Sequence, residues 1–119
     1  MGAAKVEAQL QEARKNDPHA ALFREDMVNL IGYEHLQAGD IKGAIEILKL
    51  NAMAYPNSPN VYDSLGDAYL ADGQKELARQ SAKKTLALLP SDTVDPQQRR
   101  DAIKANAEQK LKQPGDSAQ

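Results

Sequence analysis

The sequence predicts an all-α fold, a short solenoid of antiparallel helix pairs with about six helices. Three observations predict this class: an internal repeat of 34 residues, apolar residues at helical spacing, and Gly or Pro where each predicted helix ends. Stacked repeats of this length bury a continuous core between neighbouring helix pairs. The segments 25–58 and 59–92 match in the same order at Gly32 and Gly66, Leu36 and Leu70, Gly39 and Gly73, Ala44 and Ala78, Lys49 and Lys83, and Pro56 and Pro90.

A leading helix is predicted over 3–16. It carries a single apolar row and is followed by an Asp-Pro pair, which stops a helix. This pattern is typical of the second helix of a repeat whose first helix is missing. The next helix is expected to begin near Ala20, about one turn earlier than the repeat register requires. The apolar row of the leading helix consists of Val6, Leu10 and Ala13.

Each repeat, one over 25–58 and two over 59–92, is predicted as a helix, a tight turn and a return helix. A Gly lies on the apolar face of the first helix, where it costs roughly 1 kcal/mol relative to Ala and is kept when a second helix approaches closely. Another Gly follows that helix, because Gly adopts the left-handed conformation at a helix C-terminus. A Pro then ends the return helix. The apolar faces contain Val28, Ile31, Gly32 and His35 in repeat one, and Tyr62, Leu65, Gly66 and Tyr69 in repeat two.

A capping helix is predicted over 95–112, with Asp95 as its N-cap and Pro96 in its first turn. It is polar except for one narrow apolar line, as expected of a terminal helix that covers the last face of a solenoid. We therefore expect a single domain over 1–112 and a disordered tail over 113–119. The apolar line is formed by Ile103, Ala107 and Leu111.

The composition is that of a globular protein and excludes several functions. With 15 Lys and Arg against 17 Asp and Glu, the formal net charge is −2, which argues against nucleic-acid and membrane-surface binding. There is no Cys, so thiol catalysis and Cys-ligated zinc are excluded. No apolar segment approaches the ~20 residues that span a bilayer. The first residues also lack the apolar core of a signal peptide, which favours a cytoplasmic location without fixing the compartment.

Both repeats resemble the tetratricopeptide repeat family, whose pattern is W-x2-L-G-x2-Y, then A-x3-F, then P. The departures from this pattern are changes of size at packing positions. The resemblance covers 25–92 and implies a module that binds other proteins. The matching positions are Val28, Ile31, Gly32, His35, Ala44, Leu48 and Pro56 in repeat one, and Tyr62, Leu65, Gly66, Tyr69, Ala78, Ala82 and Pro90 in repeat two.

The same resemblance implies a binding groove. In this family the first helices of successive repeats line a concave surface that holds an extended peptide or a helix of a partner protein. A groove with Asp63 and Asp67 would repel a C-terminal carboxylate, so we expect a neutral or basic segment. The groove positions are Asp26, Asn29, Tyr33, Leu36 and Gln37 in repeat one, and Asn60, Asp63, Asp67, Leu70 and Ala71 in repeat two.

The sequence offers no candidate catalytic, cofactor-binding or metal-binding residues, and we expect the chain not to be an enzyme. His19 and His35 are too far apart for a zinc motif. No Ser lies in a G-x-S-x-G motif, and no Gly-rich phosphate-binding loop is present.

A second resemblance leaves an alternative open. The segment 50–70 is similar to the C-terminal repeat pair of bacterial serine hydrolases of esterase and β-lactamase-like type, which implies a bacterial origin. The chain would then be a structural accessory tail without a separate ligand. It would brace a neighbouring domain, or form a homodimer, through an apolar face left open at the incomplete first repeat.

Basic residues concentrate in the last third of the chain. They form either a solvated face or a patch for phosphate groups or an acidic partner. No aromatic residue lies among them, which removes the stacking that single-strand binding needs. The cluster consists of Lys75, Arg79, Lys83, Lys84, Arg99, Arg100 and Lys104.

Overall fold

Six α-helices and one short 3-10 helix form the part of the chain that the computed structural model describes, residues 3–16, 23–92 and 95–112. These residues contain no β-strand, so the predicted all-α class is confirmed. The predicted tail over 113–119 lies outside the described residues. The chain divides into two units, Met1–Pro56 and Asn57–Gln119. The helices are α1 (Ala3–Asn16), α2 (Glu25–Gln37), α3 (Ile41–Ala54), α4 (Pro59–Ala71), α5 (Lys75–Leu88), the 3-10 helix Leu89–Ser91, and α6 (Gln97–Leu111).

In the first unit, α2 and α3 form an antiparallel pair around a tight turn. Gly39 has φ of 90°, the left-handed conformation that the sequence predicts there. Its N–H donates to the Leu36 carbonyl at 3.1 Å, and the Asp40 N–H donates to the His35 carbonyl at 2.9 Å. The Asp40 carboxylate then accepts from the Gly43 N–H at 3.1 Å and caps α3. The turn therefore satisfies backbone carbonyls at the end of α2 and one backbone N–H at the start of α3.

The core of the α2–α3 pair explains why Gly32 interrupts an apolar helix face. Leu48 of α3 is completely buried and lies directly over Gly32. A Cβ built on Gly32 would stand 2.5 Å from Leu48 Cδ2, closer than real carbon atoms come. The predicted close approach at this Gly is confirmed, and Val28 and Ala44 complete the buried contact.

Helix α1 packs on α3 and contacts the C-terminal end of α3. The Arg14 guanidinium donates to the carbonyls of Met53 and Ala54, each at 2.8 Å. These are carbonyls that the last turn of a helix leaves without intrahelical partners, so α1 is fixed by a polar contact. Of the predicted apolar row, the side chains of Val6 and Leu10 lie outside the described residues, and Ala13 is half-buried.

The second unit repeats the same turn between α4 and α5. Gly73 has φ of 78°, and its N–H donates to the Leu70 carbonyl at 3.0 Å. The Gln74 N–H donates to the Tyr69 carbonyl at 2.9 Å, as Asp40 does to His35 in the first unit. The buried apolar residues of this pair are Val61, Leu65, Ala68 and Tyr69 on α4, and Ala78 and Ala82 on α5.

A second contact recurs at the interval of the sequence repeat. In the first unit, Asn51 Nδ2 donates to the Glu25 carbonyl at 3.1 Å, which joins the end of α3 to the start of α2. In the second unit, Thr85 Oγ1 donates to the Pro59 carbonyl at 3.3 Å and joins α5 to α4 in the same way. Because both donor and acceptor are displaced by 34 positions, the repeat is present in tertiary contacts as well as in sequence.

Two helices begin later than the sequence predicts. Helix α2 begins at Glu25 and not near Ala20, because Arg24 has extended backbone angles (φ −87°, ψ 139°). Helix α6 begins at Gln97 and not at position 95, because Pro96 is extended (φ −67°, ψ 159°) and acts as the N-cap in place of Asp95.

Candidate functional site

The predicted groove residues of the first unit form a polar, partly open strip on α2. Asp26 and Gln37 are exposed, whereas Asn29, Tyr33 and Leu36 are half-buried. The Asp26 carboxylate accepts from the Arg24 guanidinium at 2.8 Å, so its charge is already matched. These five residues share one helix face, and whether they bind a partner stays a prediction.

The predicted groove residues of the second unit are less accessible. Asn60 and Asp63 are buried, Asp67 and Leu70 are half-buried, and Ala71 is exposed. The groove interpretation requires Asp63 and Asp67 to face a partner. In the structure both carboxylates face α6 of the same unit.

Lys110 of α6 binds both of these carboxylates. Its Nζ lies 2.8 Å from Asp63 Oδ1 and 2.9 Å from Asp67 Oδ1, and its side chain is only 2% exposed. Asn106, one turn earlier on α6, donates from Nδ2 to both Asp63 oxygens at 3.0 Å. The cluster of Asp63, Asp67, Asn106 and Lys110 therefore joins α4 to α6 by charged hydrogen bonds, which are stronger than neutral ones.

Gly66 provides the space for the lysine side chain. A Cβ built on Gly66 would lie 3.0 Å from Lys110 Cδ and 3.1 Å from Cε, whereas Ser81 of α5 would be at an ordinary contact distance of 3.5 Å. The predicted close approach of a second helix at Gly66 is therefore confirmed, and the helix that comes nearest is α6 and not the paired helix α5. The buried line of α6 also differs from the prediction, because Lys110 and not Leu111 follows Ile103 and Ala107.

Burial and ion pairing act in opposite directions on Asp63. Burial raises the pKa of Asp63, the hydrogen bonds from Lys110 and Asn106 and the charge of Lys110 lower it, and the charge of Asp67 raises it. Burial has the largest effect, so the pKa of Asp63 lies above its ordinary value. The cluster carries two carboxylates and one ammonium group. Lys110 therefore offsets one of the two acidic charges, which weakens the predicted repulsion of a carboxylate ligand at this position.

Of the four large apolar side chains that are exposed in the described part of the chain, three lie on α2, outside the predicted groove, and the fourth is Leu77 of α5. Met27 is 52% exposed, Leu30 is 57% exposed and Ile31 is 36% exposed, at positions i, i+3 and i+4 of the helix. We call these three residues the α2 apolar row. Ile31 was expected in the packed face together with Val28 and Gly32, but it lies at the edge of that face. The signal for the row was present in the sequence, because α2 carries more apolar residues than one face can bury.

The histidine on α2 has a structural contact. His35 Nδ1 lies 2.9 Å from Asp40 Oδ2, and this hydrogen bond, followed by that from Gly43 N–H, lowers the pKa of Asp40. Over the described ranges, no group of three His, Asp or Glu side chains is placed to hold a metal ion. No helix in this part of the chain is long and apolar enough to cross a membrane.

Comparison with protein-family models and with curated protein sequences finds no match for this chain.

Proposed function

We propose that the chain is a non-catalytic protein-interaction module of the tetratricopeptide type, which binds a helix of a partner protein. The observation that carries this proposal is the α2 apolar row of Met27, Leu30 and Ile31. The assignment to tetratricopeptide repeats is supported by the 34-residue interval, the equivalent left-handed turns at Gly39 and Gly73, and the matched cross-helix hydrogen bonds of each pair.

The α2 apolar row has the pattern of a helix-recognition surface. Single exposed apolar residues are common on protein surfaces, but three large ones in contact range on one helix mark an interaction site. Positions i, i+3 and i+4 create the ridge against which an amphipathic helix packs. In a longer array of repeats, a complete preceding repeat covers this face of α2. Here a partner helix would cover it instead.

The charge beside the row indicates the chemistry of the partner. Glu34 is exposed and lies one turn after Leu30 and Ile31 on the same side of α2. An acidic partner helix would meet this carboxylate, whereas a neutral or basic one would not be repelled. The partner is therefore an amphipathic helix with a neutral or basic margin.

Affinity capture with three charge variants tests this proposal. Leu30→Arg places a charge in the apolar row, Gln37→Arg places the same charge at the predicted groove, and Gln80→Arg places it on an exposed site of α5. We expect Leu30→Arg to reduce recovery of the partner at least about tenfold, because one buried leucine contributes about 2 kcal/mol. The control Gln80→Arg should have no effect.

The pattern of losses distinguishes the two surfaces. Loss with Gln37→Arg but not with Leu30→Arg would move the site to the predicted groove. Equal recovery with all three variants would contradict both surfaces. Circular dichroism of each variant must match that of the parent chain, since all three positions are exposed and a charge there leaves the helices intact.

A second candidate function is structural, and the same row favours it. In this case the row is covered by a second copy of the chain or by a neighbouring domain of a longer hydrolase-like protein. Three side chains cover far less than the roughly 800 Å² per partner of a stable interface, so a dimer would need further contacts. Light scattering of the isolated chain tests whether a second copy covers the row. A concentration-independent dimer that Leu30→Arg dissociates would replace the binding proposal.

A further inference from the structure

A small cleft of about 260 Å³ lies in the second unit, between the end of α5 and the first half of α6. Leu86, Leu89 and Pro90 contribute its apolar lining, and Arg100 and Lys104 of α6 contribute two cations. The cleft is smaller than the roughly 300–1,000 Å³ of sites that enclose small molecules. It has room for one or two side chains of a peptide. Gln97 and Asp101 complete the lining.

Neither cation at the cleft forms an ion pair with an acidic group among the residues that the structure describes. The Arg100 guanidinium donates to the Leu89 carbonyl at 3.0 Å and to Gln97 Oε1 at 3.3 Å, both neutral acceptors. Lys104 is exposed and has no ion pair with any residue that the structure describes. Arg99, by contrast, is paired with Asp95 at 3.0 Å and does not line the cleft.

The Arg100 side chain is also fixed in place. Its hydrogen bond to the Leu89 carbonyl joins α6 to the 3-10 helix, its hydrogen bond to Gln97 lies within α6, and the residue is half-buried. A cation that is held before binding loses little conformational entropy when it meets an anion. Asp101 is the acidic group of the lining, and its Oδ1 accepts from Gln97 Nε2 at 2.7 Å. The lining therefore has an excess of one positive charge.

From this geometry we propose that the cleft is a second interaction surface, which binds an acidic segment of a protein through an apolar side chain. The apolar side chain lies on Leu86 and Leu89, and flanking carboxylates meet Arg100 and Lys104. A protein segment fits better than a nucleic acid, because the lining contains no aromatic side chain on which a base could stack. The cleft shares no residue with the α2 apolar row and requires the opposite charge in its ligand.

A peptide titration of the full chain tests the proposal by nuclear magnetic resonance. The probe is an acetylated, amidated peptide with two central leucines and two acidic residues on each side. One control replaces the acidic residues by their amides, and another replaces the leucines by serines. We expect the probe to shift the amide signals of Leu89 and Lys104, and both controls to bind at least about threefold more weakly.

Charge variants locate the binding. Lys104→Gln removes an exposed cation that has no ion pair with any described residue, so we expect intact structure and about threefold to fivefold weaker binding. Lys83→Gln is the matched control, because Lys83 is an exposed lysine of α5 that does not line the cleft. Equal weakening by both variants, or equal binding of an oligothymidine, would overturn the proposal in favour of non-specific attraction. Absence of shifts at the cleft would overturn it as well.

Discussion

Lys110 Nζ and Asp63 Oδ1 lie 2.8 Å apart, although the two residues are separated by 47 positions in the sequence. The contact joins the last helix to the first helix of the second unit, and Asp67 and Asn106 complete it. Because the lysine side chain passes over Gly66, one small residue and two carboxylates on α4 define where α6 can pack. The register of α6 is thus set by a charged cluster and only two buried apolar residues, Ile103 and Ala107.

Replacing the lysine should destabilise the second unit strongly. Lys110→Met keeps the aliphatic length but leaves the buried Asp63 carboxylate without its cation, which costs roughly 3 kcal/mol of unfolding free energy. Urea denaturation monitored by circular dichroism measures this loss. Lys112→Met is the matched control, because Lys112 is exposed just after the same helix. A change within about 0.5 kcal/mol for Lys110→Met would show that the cluster does not hold α6.

The two equivalent glycines should respond differently to alanine. Alanine gains roughly 1 kcal/mol of helix propensity at either position. At Gly32 the new Cβ would meet the buried Leu48, and overpacking of this kind costs about 1–3 kcal/mol, so Gly32→Ala should be destabilising. At Gly66 the tight neighbour is the flexible stem of Lys110, which can shift, so Gly66→Ala should be close to neutral.

Thermal unfolding of both glycine variants measures this difference. We expect a lower melting temperature for Gly32→Ala than for Gly66→Ala. Equal melting temperatures would mean that Leu48 moves aside as readily as the lysine stem does. The reverse order would contradict the packing at both glycines.

Asp63 should give the stability a pH dependence of defined sign. Its folded pKa is raised by burial above the unfolded value of about 3.9, so the folded state binds protons that the unfolded state has lost. The contribution of Asp63 to stability is therefore fully present below pH about 3.9 and is lost as the pH rises through the folded pKa. Asp63→Asn removes this dependence, so its stability relative to the parent chain should increase over the same range.

Urea unfolding at a series of pH values tests the sign. The groups that face Asp63 are Lys110, Asn106 and Asp67, so Lys110→Met should raise the pKa of Asp63 further. Carbon-13 resonances of the side-chain carboxyl report this pKa directly. A relative stability of Asp63→Asn that decreases with rising pH would show that the lysine outweighs burial.

The sequence predicts the local features of the fold better than its long-range contacts. The leading helix over 3–16 has the predicted bounds, and the turns at Gly39 and Gly73 have the predicted left-handed conformation, because periodicity and Gly are local signals. Lys110 could not be predicted in the same way. A lysine in a polar helix gives no apolar signal, and its partners lie on a helix far away in the sequence.

For the candidate site, too, the sequence predicts local features better than long-range contacts. The apolar residues of α2 are evident in the sequence, but which of them face α3 depends on how the helix is rotated about its axis. The structure turns Val28 and Gly32 toward α3 and leaves Met27 and Leu30 at the surface. The predicted groove, by contrast, followed from a family resemblance. That resemblance did not predict that Asp63 and Asp67 would bind Lys110 of the same unit.

Oxidation of Met27 tests the central claim, that the α2 apolar row is open in the isolated chain and covered by a partner. Met27 is 52% exposed, whereas Met53 of α3 is half-buried and serves as the internal reference. In the purified chain, peroxide should convert Met27 to the sulfoxide faster than Met53. In the native complex isolated from cells, we predict that Met27 becomes protected relative to Met53. Equal oxidation of Met27 in the purified chain and in the complex would contradict the account.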